Sequence, residues 1–188
     1  MRKIIFLFLI IGELFIVGCV AAPSKEHPAV YKSGFVGVPM HKNVGIQINE
    51  IKDVRGGADP KLINDGFVLN EPLADTIQNA LQIKLKQQGY KITNSAKYAI
   101  KGEIVNLHYV ALSSDVFDTM YGLLGQFNFI VINNETKKEV MNKQCAIGGS
   151  YYASERLPGS SFDRVFSRTI DRLLICSIGS RDFHQATK

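Results

Sequence analysis

Side chains that could do chemistry are few in this chain and poorly spaced for catalysis. Three cysteines (Cys19, Cys145, Cys176) and four histidines (His27, His41, His108, His184) occur in 188 residues. The histidines are scattered, without the close pairing that builds a zinc site, and surface or structural imidazole is their better reading. No Gly-x-Ser-x-Gly elbow, Walker loop, dinucleotide loop or His-Glu-x-x-His sequence is present. Glu103, Asp115 and Asp118 have the chemistry of an acid and base, but nothing in their spacing brings them together. Gly122, Gly125, Gly148 and Gly149 lie in or beside strand patterns, where they mark bulges or bends rather than phosphate cradles. No catalytic residue, metal site or cofactor is expected.

Cys19 has the most informative surroundings. Arg2 and Lys3 precede an apolar run from Ile4 to Val17, broken only by Glu13, and Gly18 stands directly before the cysteine. As a helix, fourteen residues rise about 21 Å, short of a ~30 Å hydrocarbon core. Glu13 further disfavours a spanning helix. The order of basic, apolar and small residues is that of a secretory signal. Ile16-Val17-Gly18-Cys19 resembles the lipobox of bacterial lipoproteins, where the signal is cut before the cysteine. The resemblance implies that residues 1–18 are removed and that Cys19 carries a diacylglycerol on its thiol and an acyl chain on its amine. Three chains exceed the two signals that stable anchoring needs. Lipoprotein sorting often retains proteins with Asp after the cysteine in the inner membrane; Val20 in that place implies the outer membrane, facing the periplasm.

Removing eighteen residues from 188 leaves 170, enough for one domain with a sizeable core. The chain's formal charge of +5 falls to +4 when Arg2, Lys3 and Glu13 leave. That surplus is unclustered and does not point to nucleic acid. Cys145 and Cys176 then remain. Cys145 alternates with Met141 and Ile147 as in a strand, and Cys176 follows Thr169 and Leu173 on the inward stripe of a helix. Two readings stay open: a disulfide, in an oxidising compartment, or two buried free thiols.

From Val20 to Asn43 no periodicity survives, and Pro23, Pro28 and Pro39 punctuate the segment. Residues 19–43 are read as a lipidated tether, reaching about 80 Å if fully extended. Val30, Tyr31, Phe35 and Val38 make it less polar than a pure linker, so part of it could lie against the domain. Residues 44–188 form that domain. Val44, Ile46 and Ile48 alternate as a strand, and Asp53-Val54-Arg55-Gly56-Gly57 reads as a turn. A loop with Pro60 and Gly66 leads to Asn70 as N-cap, with Glu71 and Pro72 in the first helical turn. Leu73, Ile77, Leu81 and Leu85 repeat as one helix face, ended by Gly89. Tyr90–Ile92 and Tyr98–Val110 read as strands, and Leu124–Ile132 and Val140–Tyr152 as a hairpin turning at Asn133–Thr136. Phe162, Val165, Phe166, Thr169, Leu173 and Cys176 stripe a last helix, opening near Ser160 or Ser161 and ending by Gly179 before a polar tail. The predicted fold is an α+β two-layer sandwich. Its mostly antiparallel sheet has about four or five strands, one pair parallel, with two amphipathic helices on one face.

Two surfaces offer binding chemistry. Leu112–Tyr121 is read as a loop carrying Val116, Phe117, Met120 and Tyr121. Exposed, they suit a protein partner or bilayer surface; folded back, they cap the core. Arg164, Arg168 and Arg172 recur every four residues on the last helix, the first two directed away from its apolar stripe. They form either a ridge for an acidic partner or a solvated face partly paired with Asp163, Asp171 and Asp182.

With these features together, the chain resembles the YajG family of small Gram-negative lipoproteins. The resemblance is carried by the lipobox Ile16–Cys19, the Asp53-Val54-Arg55 turn, the helix ending Leu85-Lys86-Gln87-Gln88-Gly89-Tyr90, the strand Ile100–Tyr109 and the terminal Asp182-Phe183. Glu13, the Val116–Tyr121 loop and the cysteine pair depart from it. It implies an outer-membrane lipoprotein without known catalysis. The layout is more loosely similar to envelope accessory lipoproteins such as the lipopolysaccharide-assembly protein LptE. The expectation is a non-catalytic, lipid-anchored domain that binds or scaffolds an envelope protein partner. The alternative is a carrier holding a small ligand or lipid between sheet and helices.

Overall fold

Period-two apolar patterning builds one sheet, and its inward residues decide where the helices lie. The structure, a computed structural model, describes residues 30–33, 44–57, 59–64, 67–114, 119–153 and 159–188; the side chains of residues 64, 67, 111–121 and 149–162 are not described. The strands are β1 (Gly45–Asp53), β2 (Leu62–Asn64), β3 (Phe67–Val68), β4 (Lys91–Ile92), β5 (Tyr98–Ser114), β6 (Thr119–Asn133) and β7 (Lys138–Ala153). The helices are α1 (Leu73–Gln87), α2 (Gly159–Ser177) and α3 (Arg181–Ala186). Five strands form the main sheet in the order β4-β1-β5-β6-β7, and β2 pairs with β3 as a separate small hairpin.

Ile100, Ile104 and Leu107 of β5, Leu123, Phe127, Phe129 and Val131 of β6, and Cys145 of β7 are buried on one face. They share a single core with Leu73, Ile77, Leu81 and Leu85 of α1 and with Phe166, Ile170 and Leu173 of α2. Both long helices therefore cover the same side of the sheet, the two-layer α+β arrangement expected from the pattern. Two pairs are parallel, not one: β1 runs parallel to both β4 and β5. Helix α1 returns the chain to one flank of β1, and the turn at residues 93–97 carries it across to the other.

Helix α1 starts later than predicted. Asn70 does not cap it; Pro72 holds the N-cap place with φ −50° and ψ 141°, and no side chain caps the helix. Proline has no N–H to satisfy there, and its carbonyl accepts the first helical bond from Thr76 N–H at 3.0 Å. The other end matches the sequence signal. Gly89 turns left-handed at φ 89°, Tyr90 N–H reaches Leu85 C=O and Gly89 N–H reaches Lys86 C=O, the paired bonds of a Schellman ending.

The β5-β6-β7 meander is longer than its hydrophobic alternation indicated. Ser113 pairs with Met120 and Ser114 with Thr119, so much of the segment predicted as a 112–121 loop is ladder. Backbone pairing extends the hairpin where the side chains no longer alternate. At the opposite turn Asn133 Oδ1 accepts from the N–H groups of Glu135 and Thr136, and Lys137 takes φ 56°.

Gly125 is a seat rather than a bend. A Cβ there would lie 2.9 Å from Leu173 Cδ1 and 3.1 Å from Leu107 Cδ1, so its bareness lets α2 approach β6. Beside it, Cys145 of β7 and Cys176 of α2 are joined as a disulfide, which settles the alternative left open by their spacing. The polar tail expected beyond Gly179 is instead the short helix α3. Ser180 caps it through Phe183 N–H, and Phe183 is fully buried against the rings of Tyr90 and Phe129.

Candidate functional site

A polar row on α2 receives part of the segment read as a tether. Asp163, Ser167 and Asp171 are spaced by four, which stacks them along one flank of the helix. Asp163 Oδ1 accepts Val30 N–H at 3.0 Å, Ser167 Oγ accepts Lys32 N–H at 2.8 Å, and Asp171 Oδ1 accepts the Tyr31 hydroxyl at 2.7 Å. Lys32 Nζ adds an exposed ion pair with Asp163 at 3.5 Å. Residues 30–33 are thus strapped onto α2, with Tyr31 packed at the edge of the core. Burial pushes the Tyr31 phenol well above its ordinary pKa, and its bond to Asp171 pushes the same way.

Beneath the strap, Lys84 of α1 reaches Asp171 at 3.0 Å, with side-chain exposures of 3% and 10%. Lys84 falls seven residues after Ile77, on the face α1 buries. A charge in that position has to be met by an opposite charge, and Asp171 meets it. One carboxylate therefore holds α1, α2 and the strap together.

Arg164, Arg168 and Arg172 are all exposed on the outward side of α2. The nearby aspartates have partners on other elements: Asp163 with Lys32, Asp171 with Lys84 and Tyr31, Asp182 with Lys143.

A second cluster closes the end of β1. Arg55 grips Asp53 with two bonds, Nε to Oδ1 at 2.8 Å and Nη2 to Oδ2 at 2.7 Å. Its Nη1 points to the carbonyls of Ile63, in β2, and Leu107, in β5. Burial works to raise the Asp53 pKa, but the bonds from the Arg55 side chain and backbone and the guanidinium charge outweigh it and hold the carboxyl below its ordinary range. The Asp53-Val54-Arg55 turn is thus a clasp for the β2–β3 hairpin.

The sheet's other face is polar and apolar by turns. Glu103, Asn128 and Gln144 form a row across β5, β6 and β7, with Asn128 Nδ2 donating to Glu103 and Gln144 Nε2 donating to Asn128. Leu124 lies exposed on the same face, opposite His108 and Gly148. Among the described residues no helix packs on this side, and β7 forms the sheet's outer edge. His108 is half-buried, with Nδ1 2.8 Å from Asn106 Oδ1, and His184 Nδ1 lies 3.3 Å from the Tyr90 hydroxyl.

Other predicted positions fall elsewhere. Cys19, Val116 and Phe117 lie outside the described residues, as do His27, His41, Asp115 and Asp118; Met120 and Tyr121 are placed in β6 by backbone register alone. The space between sheet and helices, where a carrier would hold its cargo, is filled by Phe127, Phe129, Phe166 and Phe183. A depression of about 450 Å³ lies instead on the surface at α3, lined by Gly179, Arg181, His184, Gln185 and Lys188. Among the described residues no three His, Cys, Asp or Glu side chains are grouped to hold a metal, and no helix is long and apolar enough to cross a membrane.

Val30 and Tyr31 led to the expectation that part of the tether lies against the domain, but the seat on α2 was not anticipated. Its signals were there: a polar row at spacing four flanking the α2 stripe, and a lysine within the apolar face of α1.

No protein-family model and no curated protein matches this chain. Among solved structures, protein XCC0632 from Xanthomonas campestris aligns with a TM-score of 0.56 at 9% identity, over 78% of this chain and 90% of that one. The likeness shows a shared fold. Two bacterial lipoproteins align less closely. The minor lipoprotein from Acinetobacter baumannii has a TM-score of 0.44 at 13% identity, over 69% of this chain and 85% of its own. Rare lipoprotein B from Shewanella oneidensis has 0.38 at 15%, over 68% and 90%.

Proposed function

We propose that this protein is a non-catalytic, YajG-like lipoprotein, anchored in the outer membrane through Cys19, whose periplasmic domain binds a protein partner of the envelope. The observation that carries the binding role is the one-sided layering. Both long helices cover one face of the sheet, leaving Glu103, Leu124, Asn128 and Gln144 on a mixed polar and apolar surface beside β7, the last strand of the sheet. Such a face and edge suit protein recognition, by side-chain contacts and by strand addition. The lipobox and Val20 support the anchor and its membrane. The strap supports a domain oriented by its anchor, because the chain leading to Cys19 leaves from a fixed point on α2.

Photo-crosslinking from Leu124 and Gln144 in intact cells tests the binding role, with the membranes separated by density. The proposal expects a discrete protein adduct from these positions and recovery of the protein with the outer membrane. Recovery with the inner membrane, or no protein adduct from either position, would count against it.

A further inference from the structure

The strap and the arginine ridge lie on the same helix, and together they define how the domain meets the bilayer. Strapping at Val30–Ser33 leaves ten residues between Cys19 and Val30, eleven steps of chain with an extended reach of at most about 40 Å. That is close to the diameter of the domain itself, whose radius of gyration is near 15 Å at this length. A lipid at Cys19 can then set the helix layer against the membrane with a slack chain, whereas turning the sheet face down would demand a nearly taut one. The surface beside the strap is suited to phospholipid. Arg164, Arg168 and Arg172 face outward, helical spacing puts Ile175 among them, and Val30, Ile83 and Ile175 are each about two-fifths exposed. Guanidinium groups pair bidentately with phosphate oxygens, and exposed aliphatic side chains between them can enter the headgroup layer.

We propose that the outer surface of α1 and α2 rests on the anionic phospholipid leaflet in which the lipid of Cys19 is inserted, leaving the opposite sheet face and β7 toward the periplasm. This rests on the lipid-anchored reading above.

The test uses the full-length chain in cells, with a photoreactive benzoylphenylalanine at Ile83, at Ile175 or at Gln144 on the opposite face. Phospholipid adducts are read by mass, membrane attachment by sedimentation, and folding by the Cys145–Cys176 bond on non-reducing gels. The expected result is phospholipid adducts from Ile83 and Ile175 and none above background from Gln144. Combining Arg164→Gln, Arg168→Gln and Arg172→Gln should lower those adducts more than tenfold, since each basic residue near an anionic surface favours contact about fivefold. Sedimentation and the disulfide should be unchanged. A chain that does not sediment with membranes overturns the anchor and this orientation together. A chain that sediments but gives protein adducts or no adducts from Ile83 and Ile175, or phospholipid adducts indifferent to the arginines, overturns the orientation alone.

Discussion

Asp171→Asn removes the charge that Lys84 needs while keeping the size of the side chain. In the folded protein Lys84 is 3% exposed, with its ammonium 3.0 Å from Asp171 Oδ1, so the variant leaves a buried cation without this counter-charge. Breaking a buried pair from one side costs about 3–5 kcal/mol, against 0–1 kcal/mol for a surface pair. For a domain of this size each kcal/mol moves Tm by about 2–4 °C, giving an expected fall of roughly 6–20 °C. Lys84→Met alone should cost a similar amount by leaving the buried Asp171 carboxylate without the Lys84 charge. The double variant should recover most of the loss, because both charges then leave the interior together. The assay is guanidinium unfolding of the two single variants, the double variant and the parent, with the disulfide intact. Hydrogen exchange at Lys32 N–H, bonded to Ser167 Oγ, gives a second readout, since weakening the Tyr31 contact should loosen the strap. Single-variant costs below about 1 kcal/mol, as for an exposed pair, or strictly additive costs in the double variant, would refute this reasoning.

Opening the Cys145–Cys176 bond by substituting both residues with serine releases a loop of sequence separation 31. The chain-entropy relation puts the loss at about 3–4 kcal/mol, measured as the drop in guanidinium midpoint, and an unchanged midpoint would contradict it. Asp53 has a folded pKa below its ordinary value of 3.8, so its contribution is fully present above that value and is lost as pH falls through the lower folded one. Urea titrations from pH 6 to pH 2 should therefore show an acid-dependent loss that Asp53→Asn reduces. Gly102→Ala would place a methyl on the Phe127 ring and against Ile51 in a filled core, and should destabilise by about 1–3 kcal/mol in thermal unfolding.

The architecture was readable in the chain wherever burial imposes a period. Leu73, Ile77, Leu81 and Leu85 announce α1, Gly89 announces its end, and the alternation through β5 and β6 announces the sheet. Features set by pairing or by tertiary contact were not readable. Residues 113–114 and 119–121 join a ladder because of the strand opposite, and the sequence there does not alternate apolar with polar. Asn70 carries the right chemistry for a cap, yet Pro72 begins the helix, since the caps preferred in isolation give way to local backbone geometry. Phe183 looks like a lone aromatic in a polar tail until Tyr90 and Phe129 are brought beside it.

The same limit applies to the strap. Tyr31, Asp163, Ser167 and Asp171 are ordinary residues in a proline-bearing segment and on a helix flank, 133 to 140 residues apart in the chain for the bonds that join them. Lys84 was the visible clue, because a lysine on a buried helix face needs an acid from somewhere. Arg164 and Arg168, by contrast, were legible as outward-facing from spacing alone, whereas Arg172, which spacing set nearer the edge of the stripe, is exposed as well. Their aspartate neighbours could not be assigned, since Lys32, Lys84 and Lys143 reach them from other elements.

Mass spectrometry of the N-terminal peptide, taken from membrane-extracted protein, tests the anchored reading most directly. The predicted peptide begins at Cys19, with diacylglycerol on sulfur and an acyl chain on the amine. A peptide running uncut through Gly18-Cys19, or one beginning elsewhere with Cys19 unmodified, would contradict it.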